Sequence, residues 1–170
     1  MNILYRSATI EDAQAVLDYL DQVGKESDNL SFGEEGIGYT LEEEVSAIEK
    51  TLSSQTDLMI LALDQDKIIS IGSLHGNKRI RTQHFATLGI SVLKSHWNLG
   101  IGNEMMHRIM QFAKSSDILK IVRLDVRTDN VIAVKLYEKY GFEKYGQFKE
   151  EMLIDGAYIS IDLMRCILDK

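Results

Sequence analysis

The sequence predicts an α/β (α+β) domain of about seven strands and four helices, and three observations carry that expectation. Apolar residues alternate along the chain between helical spacing and strand-length runs, in the order β, αα, βββ, α, β, α, ββ. The 170 residues, 45% hydrophobic, are enough to bury one sizeable core. Proline is absent, and neither a low-complexity linker nor an internal repeat divides the chain, so residues 1–170 read as a single domain.

The elements follow in order. After a first short strand, Thr9 with Asp12 makes a variant of the capping box, and Ile10, Ala13, Val16, Leu17 and Leu20 follow at helical spacing, predicting a helix over about 10–24. The glycines of "SDNLSFGEEGIGYT" mark a loop, and Thr40 with Glu43 caps a second helix running to about Ser53. "LMILALD" and "KIISIGSLH", joined by "DQDK", read as a hairpin, and "HFATLGISVL" as a third long strand. A helix over about 100–115 carries Ile101, Met105, Ile109, Phe112 and Ala113 on one face, its methionines there for packing. "KIVRLDVR" sets Val122, Leu124 and Val126 against Ile121, Arg123 and Asp125, which gives one apolar and one polar face. "DNVIAVKLYEKYGF" is a helix with Ala133, Leu136, Tyr137 and Tyr140 on one side, and two strands flank the turn signal Asp155-Gly156.

Composition excludes several functions. A net charge of -7, from 26 acidic and 19 basic residues, opposes nucleic acid as a ligand and favours cationic partners. No apolar run approaches a membrane span and the start lacks a signal peptide's basic and apolar regions, so a cytoplasmic location is expected. The single cysteine, Cys166, reads as a core residue of the last strand. His75, His84, His96 and His107 share no spacing that suggests a metal site.

The stretch "SHWNLGIGNEMM" sets Gly100 and Gly102 at the start of a helix, where glycine is a poor helix former. A strand, a short loop and a glycine-opened helix leave unpaired backbone N–H groups at a helix N-terminus, a ready site for an anion such as a pyrophosphate. A tight strand-to-helix turn would explain the same glycines. No Lys-Ser/Thr follows them for a P-loop, and no G-x-G-x-x-G opens a first strand–helix unit. Trp97-Asn98-Leu99-Gly100-Ile101-Gly102 resembles the Gln/Arg-x-x-Gly-x-Gly/Ala acetyl-CoA loop of the GCN5-related N-acetyltransferases (GNAT), with Trp97 departing from the usual first residue. Asn130, 28 residues beyond Gly102, opens "NVIAVKLYEKYGF", which is similar to that family's Asn-x-x-Ala-x-x-Leu-Tyr-x-x-x-Gly-Phe block. The likeness is strong over about residues 83–142 and one of layout elsewhere.

The resemblance implies a GNAT-like mixed, V-shaped sheet whose strands "TLGISVL" and "KIVRLDV" splay apart around the pantetheine arm of acetyl-CoA. It implies that the backbone of Ile90, Ser91 and Val92 pairs with the pantetheine amides, that residues 97–102 hold the pyrophosphate, and that Asn130 contacts the arm from the opposite side. Asn130 also reads as a plain helix N-cap, and both roles can hold together. It implies that Tyr137 stands near the thioester sulfur and protonates the departing thiolate, for which a phenol is a competent donor. Tyr137 as a core residue with its hydroxyl satisfied locally is the competing account.

Family members that have a general base often carry a glutamate on the strand before the glycine loop; "HFATLGISVL" holds no carboxylate, and the base is unassigned. The resemblance implies that "SDNLSFGEEGIGYTLEEE" lines the acceptor cleft, and its Glu34 and Glu35 are the candidate contacts for a cationic amine. Glu42, Glu43 and Glu44 also serve the helix dipole. The expected function is transfer of an acyl group, acetyl first, from acetyl-CoA to a small or polyamine-like primary amine by direct attack, without a metal. A protein N-terminus or lysine is the next acceptor, and a catalytically silent acyl-CoA-binding module is the reading from another class. Homodimers occur often in the family.

Overall fold

A computed structural model describes residues 2–169. Its elements are β1 (Ile3–Ser7), α1 (Ala13–Glu26), α2 (Leu41–Leu52), β2 (Leu58–Asp64), β3 (Lys67–Gly76), β4 (Phe85–Val92), α3 (Ile101–Ser115), β5 (Ile121–Arg127), α4 (Val131–Lys139), β6 (Glu143–Ile154) and β7 (Ala157–Ile167). The seven strands form one sheet in the order β1-β2-β3-β4-β5-β7-β6. Every pairing is antiparallel except β4 with β5, so the sheet is mixed, with four helices, as the sequence predicts. No helix among the described residues is long and apolar enough to cross a membrane.

Local signals set the element ends. Gln65 and Asp66, both at positive φ, close the β2–β3 hairpin, and Asp155 and Gly156 do the same for β6–β7. Thr40 accepts a hydrogen bond from the Glu43 N–H, and the Glu43 carboxylate accepts one from the Thr40 N–H, completing the capping box of α2. The predicted first helix divides into a 3-10 turn over Ile10–Asp12 and then α1. Ile10 is exposed there, and the buried stripe of α1 is Ala13, Val16, Tyr19 and Val23. Tyr19 therefore takes an inward position that apolar spacing assigned to its neighbours.

Asp12 joins this start to β1. It accepts the Thr9 N–H at 2.8 Å and takes a two-pronged bond from the Arg6 guanidinium at 2.6 and 2.7 Å. The Arg6 bond is the main reason its carboxyl is held down to about 2. A depressed carboxyl stabilises the fold above the ordinary Asp range and loses that effect as pH falls towards 2. Asp12→Ala is expected to cost about 1 kcal/mol in urea unfolding at neutral pH, with the difference from the parent shrinking in acid.

The core lies on both faces of the sheet. Ile101, Met105, Met106, Ile109, Met110 and Ala113 of α3 are buried against β2, β3 and β4. Because successive strand residues face opposite ways, α1 and α2 cover the other face, reached by Ile71, Ser73 and His75 of β3. Cys166 is buried in β7.

Candidate active site

The sheet opens between β4 and β5. Their ladder holds at Phe85, Ala86 and Thr87 against Ile121, Val122 and Arg123, and goes no further, although β4 continues to Val92 and β5 to Arg127. From Leu88 onward β4 thus has an edge with no strand beside it. Within that edge the backbone groups alternate. The Leu93 N–H donates to Ile69 and the Ser91 carbonyl accepts the Ser70 hydroxyl at 2.6 Å, so odd-numbered residues turn towards β3. Ile90 and Val92 turn towards the opening.

Two corrections to the expected edge follow. Ser91 does not share it: its carbonyl faces β3 and its hydroxyl meets the Tyr19 hydroxyl at 2.9 Å. The Val92 carbonyl is already used, because the Trp97 indole N–H donates to it at 2.8 Å. Of the expected residues, both backbone groups of Ile90 and the N–H of Val92 are left facing the opening. Trp97, in place of a long polar side chain, ties the loop back to the strand it leaves.

That loop reaches α3 through Asn98 and Gly100, at φ +61° and +79°. Gly100 is the N-cap of α3 in left-handed backbone, with no atom near where a Cβ would stand. The backbone angle, and not crowding, requires glycine here. The first helical bond runs from the Glu104 N–H to the Gly100 carbonyl at 3.1 Å. The N–H groups of Ile101, Gly102 and Asn103 have no intrahelical partner, and Leu99 beside them is exposed. A Cβ on Gly102 would meet Leu136 of α4 at 3.5 Å, ordinary contact. Asn103 anchors α4 here: its side chain accepts from Lys139 at 2.6 Å and its carbonyl from the Tyr140 hydroxyl at 2.7 Å.

Across the opening, Asn130 is the N-cap of α4, its side-chain oxygen accepting the Ala133 N–H at 3.3 Å. Tyr137 is buried on the same helix, its ring 6.0 Å from that of Phe142. Its hydroxyl makes no hydrogen bond to the described residues, and burial pushes it up to about 12. The end of α1 pins both sides of the mouth. Glu26 accepts the Lys94 N–H, just past β4, at 3.0 Å, and Arg127 at the end of β5 donates to the Asp28 carbonyl at 2.8 Å.

Two carboxylates stand on the α1–α2 face, one of them from the Glu42–Glu44 cluster. Asp125 lies two residues beyond the last residue of β5 that pairs with β4, on the same face as Arg123, which sits over the Phe85 ring at 3.9 Å. Desolvation, with Glu151 nearby, raises its carboxyl above the usual range. Glu44 of α2 is 2% exposed, its Oε1 has no partner, and desolvation raises it too. Glu44 lines a groove of about 1010 Å³ between α2 and the β2–β3 face. Glu34 and Glu35 do not line that groove; both are exposed, and Glu35 folds back to accept the Gly33 N–H at 2.9 Å.

Known proteins share this arrangement. The model of the acetyltransferase (GNAT) family matches residues 26–142, more than half of the chain. The chain belongs to that family. An acetyltransferase of the GNAT family from Streptococcus pneumoniae is 31% identical, with a TM-score of 0.95, over 99% of this chain and 100% of that one. The L-amino acid N-acetyltransferase AaaT of Escherichia coli is 30% identical over 102 residues, 59% of this chain and 62% of that protein. The spermidine N(1)-acetyltransferase of Vibrio cholerae is 28% identical over 85 residues, 50% of this chain and 49% of that protein. The matches thus span about half to three-fifths of the length of these two relatives. The fold is shared with yncA from Salmonella typhimurium, a structure holding acetyl-CoA, at 13% identity and a TM-score of 0.85 over 100% of this chain and 96% of that one.

Proposed function

We propose that this GNAT chain acts as a single-domain N-acetyltransferase that moves an acetyl group from acetyl-CoA to a primary amine by direct attack. The observation that carries the reading is the parted β4 edge, which runs into a glycine-capped helix N-terminus, while Tyr137 sits on the helix that follows the far strand, its hydroxyl bonded to no described residue. The named substrates of the relatives, L-amino acids and spermidine, are amines, which agrees with it.

The residues fit acetyl-CoA piece by piece. Ile90 and the Val92 N–H offer strand-type partners to the pantetheine amides, and the helix N–H groups of Ile101, Gly102 and Asn103 suit the pyrophosphate. Asn130 holds the start of α4 against the arm through its cap. At the end of the opening the amine nitrogen attacks the thioester carbonyl, the C–N bond forms, and the C–S bond breaks with its electron pair on sulfur. Tyr137 donates a hydrogen bond, and finally a proton, to that thiolate. Its raised proton affinity does not disqualify it, since the same desolvation also raises that of the thiolate. Asp125, across from the β4 edge, receives the proton that the amine loses, directly or through one water, and fills the role left unassigned on β4.

The glycine cap gives the test. Gly100→Val places a β-branched residue at a left-handed angle, a strain of about 1–3 kcal/mol at the loop, while leaving the core untouched. The variant is expected to fold and to lose on the order of 10-fold or more in CoA affinity by calorimetry, with free pantetheine bound as before. A folded variant with parental CoA affinity would remove the loop from the binding site.

A further inference from the structure

Glu44 is a side chain the acetyl transfer does not use. Its carboxylate is 2% exposed, its Oε1 lacks any partner, and it lines the groove between α2 and β3. A buried carboxylate without a counter-charge is among the more costly features a fold can carry, and a cation from outside the chain would supply the missing partner. The groove suits a cation: four carboxylates, Glu42, Glu43, Glu44 and Asp57, line it against two lysines, Lys50 and Lys78. Lys78 is already paired with Asp57, and desolvation lowers the proton affinity of His75 and so favours its neutral form. Beneath the carboxylates, Val16, Leu20 and Ile71 form an apolar floor suited to methylenes and not to a second polar group.

The groove lies on the same sheet face as the opening, one strand away from it. Ser73 of its β3 wall pairs with Gly89 of β4, on the edge that β5 has left. A Cβ on Gly89 would stand 3.2 Å from the Ser73 Oγ, so the two positions share a face, and glycine puts no side chain between them. Asp125 stands on that same face at the far side. The two carboxylates are then separated by at least two strand spacings, about 10 Å, with apolar surface at the Glu44 end.

We infer that the groove is a second ammonium subsite built on Glu44, so that the acceptor is an aliphatic diamine or polyamine whose distal cation pairs with Glu44 while its near amine reacts over Gly89. The inference rests on the acetyl-transfer reading above and names its substrate class. A monoamine would leave Glu44 unpaired, and an amino acid would bring its carboxylate towards the acidic side of the site.

Diaminobutane and butylamine, matched in carbon chain, separate the cases. The parent is expected to acetylate diaminobutane with kcat/KM on the order of 10- to 100-fold above butylamine. Glu44→Gln should erase that preference through KM for the diamine and leave butylamine unchanged. Equal use of both amines by the parent, or an equal loss for both in the variant, would overturn the subsite and leave the acetyltransferase reading standing. Binding is read apart from turnover: diaminobutane should raise the Tm of the parent and not of Glu44→Gln. If no amine were acetylated, the acetyl-transfer reading would fall, and absence of that Tm rise in the parent would overturn the subsite as well. The variant should fold, with a Tm above the parent at neutral pH. Burial raises the Glu44 carboxyl, so its charged form costs stability above that raised pKa, and the gap should close as pH falls through it towards the ordinary carboxylate range.

Discussion

Tyr137→Phe is expected to fold, to bind acetyl-CoA as the parent does, and to lose roughly 10²- to 10⁴-fold in kcat. Folding should survive because the hydroxyl makes no hydrogen bond to the described residues, while the ring, packed 6.0 Å from Phe142, is retained. Removing a hydroxyl that bonds no described residue leaves no orphaned partner behind. The loss should shrink with an acyl donor whose leaving thiol is more acidic, since a better leaving group needs less help from a proton. A packing defect would be blind to that difference. Parental turnover in the variant would make Tyr137 a core residue and assign the proton to water or another group.

Asp125→Asn is expected to lower kcat/KM by roughly 10²-fold or more while leaving CoA affinity unchanged, because Asp125 faces the acceptor side and not the pyrophosphate loop. The raised carboxyl sets the pH dependence. In the parent, kcat/KM should fall on acidification as Asp125 protonates, at a pH above the ordinary Asp range. That limb should vanish in the variant. A less basic acceptor amine should recover part of the loss, since less of it needs a proton removed. An acidic limb that persists unchanged in Asp125→Asn would assign the base elsewhere.

Elements whose causes are local were legible in the chain. Thr40 and Glu43, Asp155 and Gly156, and the stripe Ile101, Met105 and Ile109 act within a few residues of one another, and each appears where the spacing put it. Tyr19 escaped because an amphipathic tyrosine fills an inward position as well as a leucine does, and its hydroxyl finds Ser91, 72 residues away. Asp125 did carry a signal: it sits on the polar face of a strand bounded by the Asn130 block, at a position where a surface strand and a cleft strand read alike. Glu44 could not be told from Glu42 and Glu43, since three successive glutamates in a first helical turn are accounted for by the dipole, and burial of one of them depends on what α2 packs against.

The sequence by itself determined the order of elements, the glycine cap at Gly100 and the family block from Asn130 to Phe142, because capping, turn angles and apolar period are properties of short stretches of backbone. Tertiary structure alone decided which edge is open and which polar groups face it. The β4–β5 ladder stops at Thr87 and Arg123, and that register turns Ile90 towards the opening and Ser91 away. It also brings Asp125, Gly89 and the groove of Glu44 onto one face from segments far apart in the chain. Strand pairing between distant segments follows from how the whole core packs, and no short window of sequence encodes it.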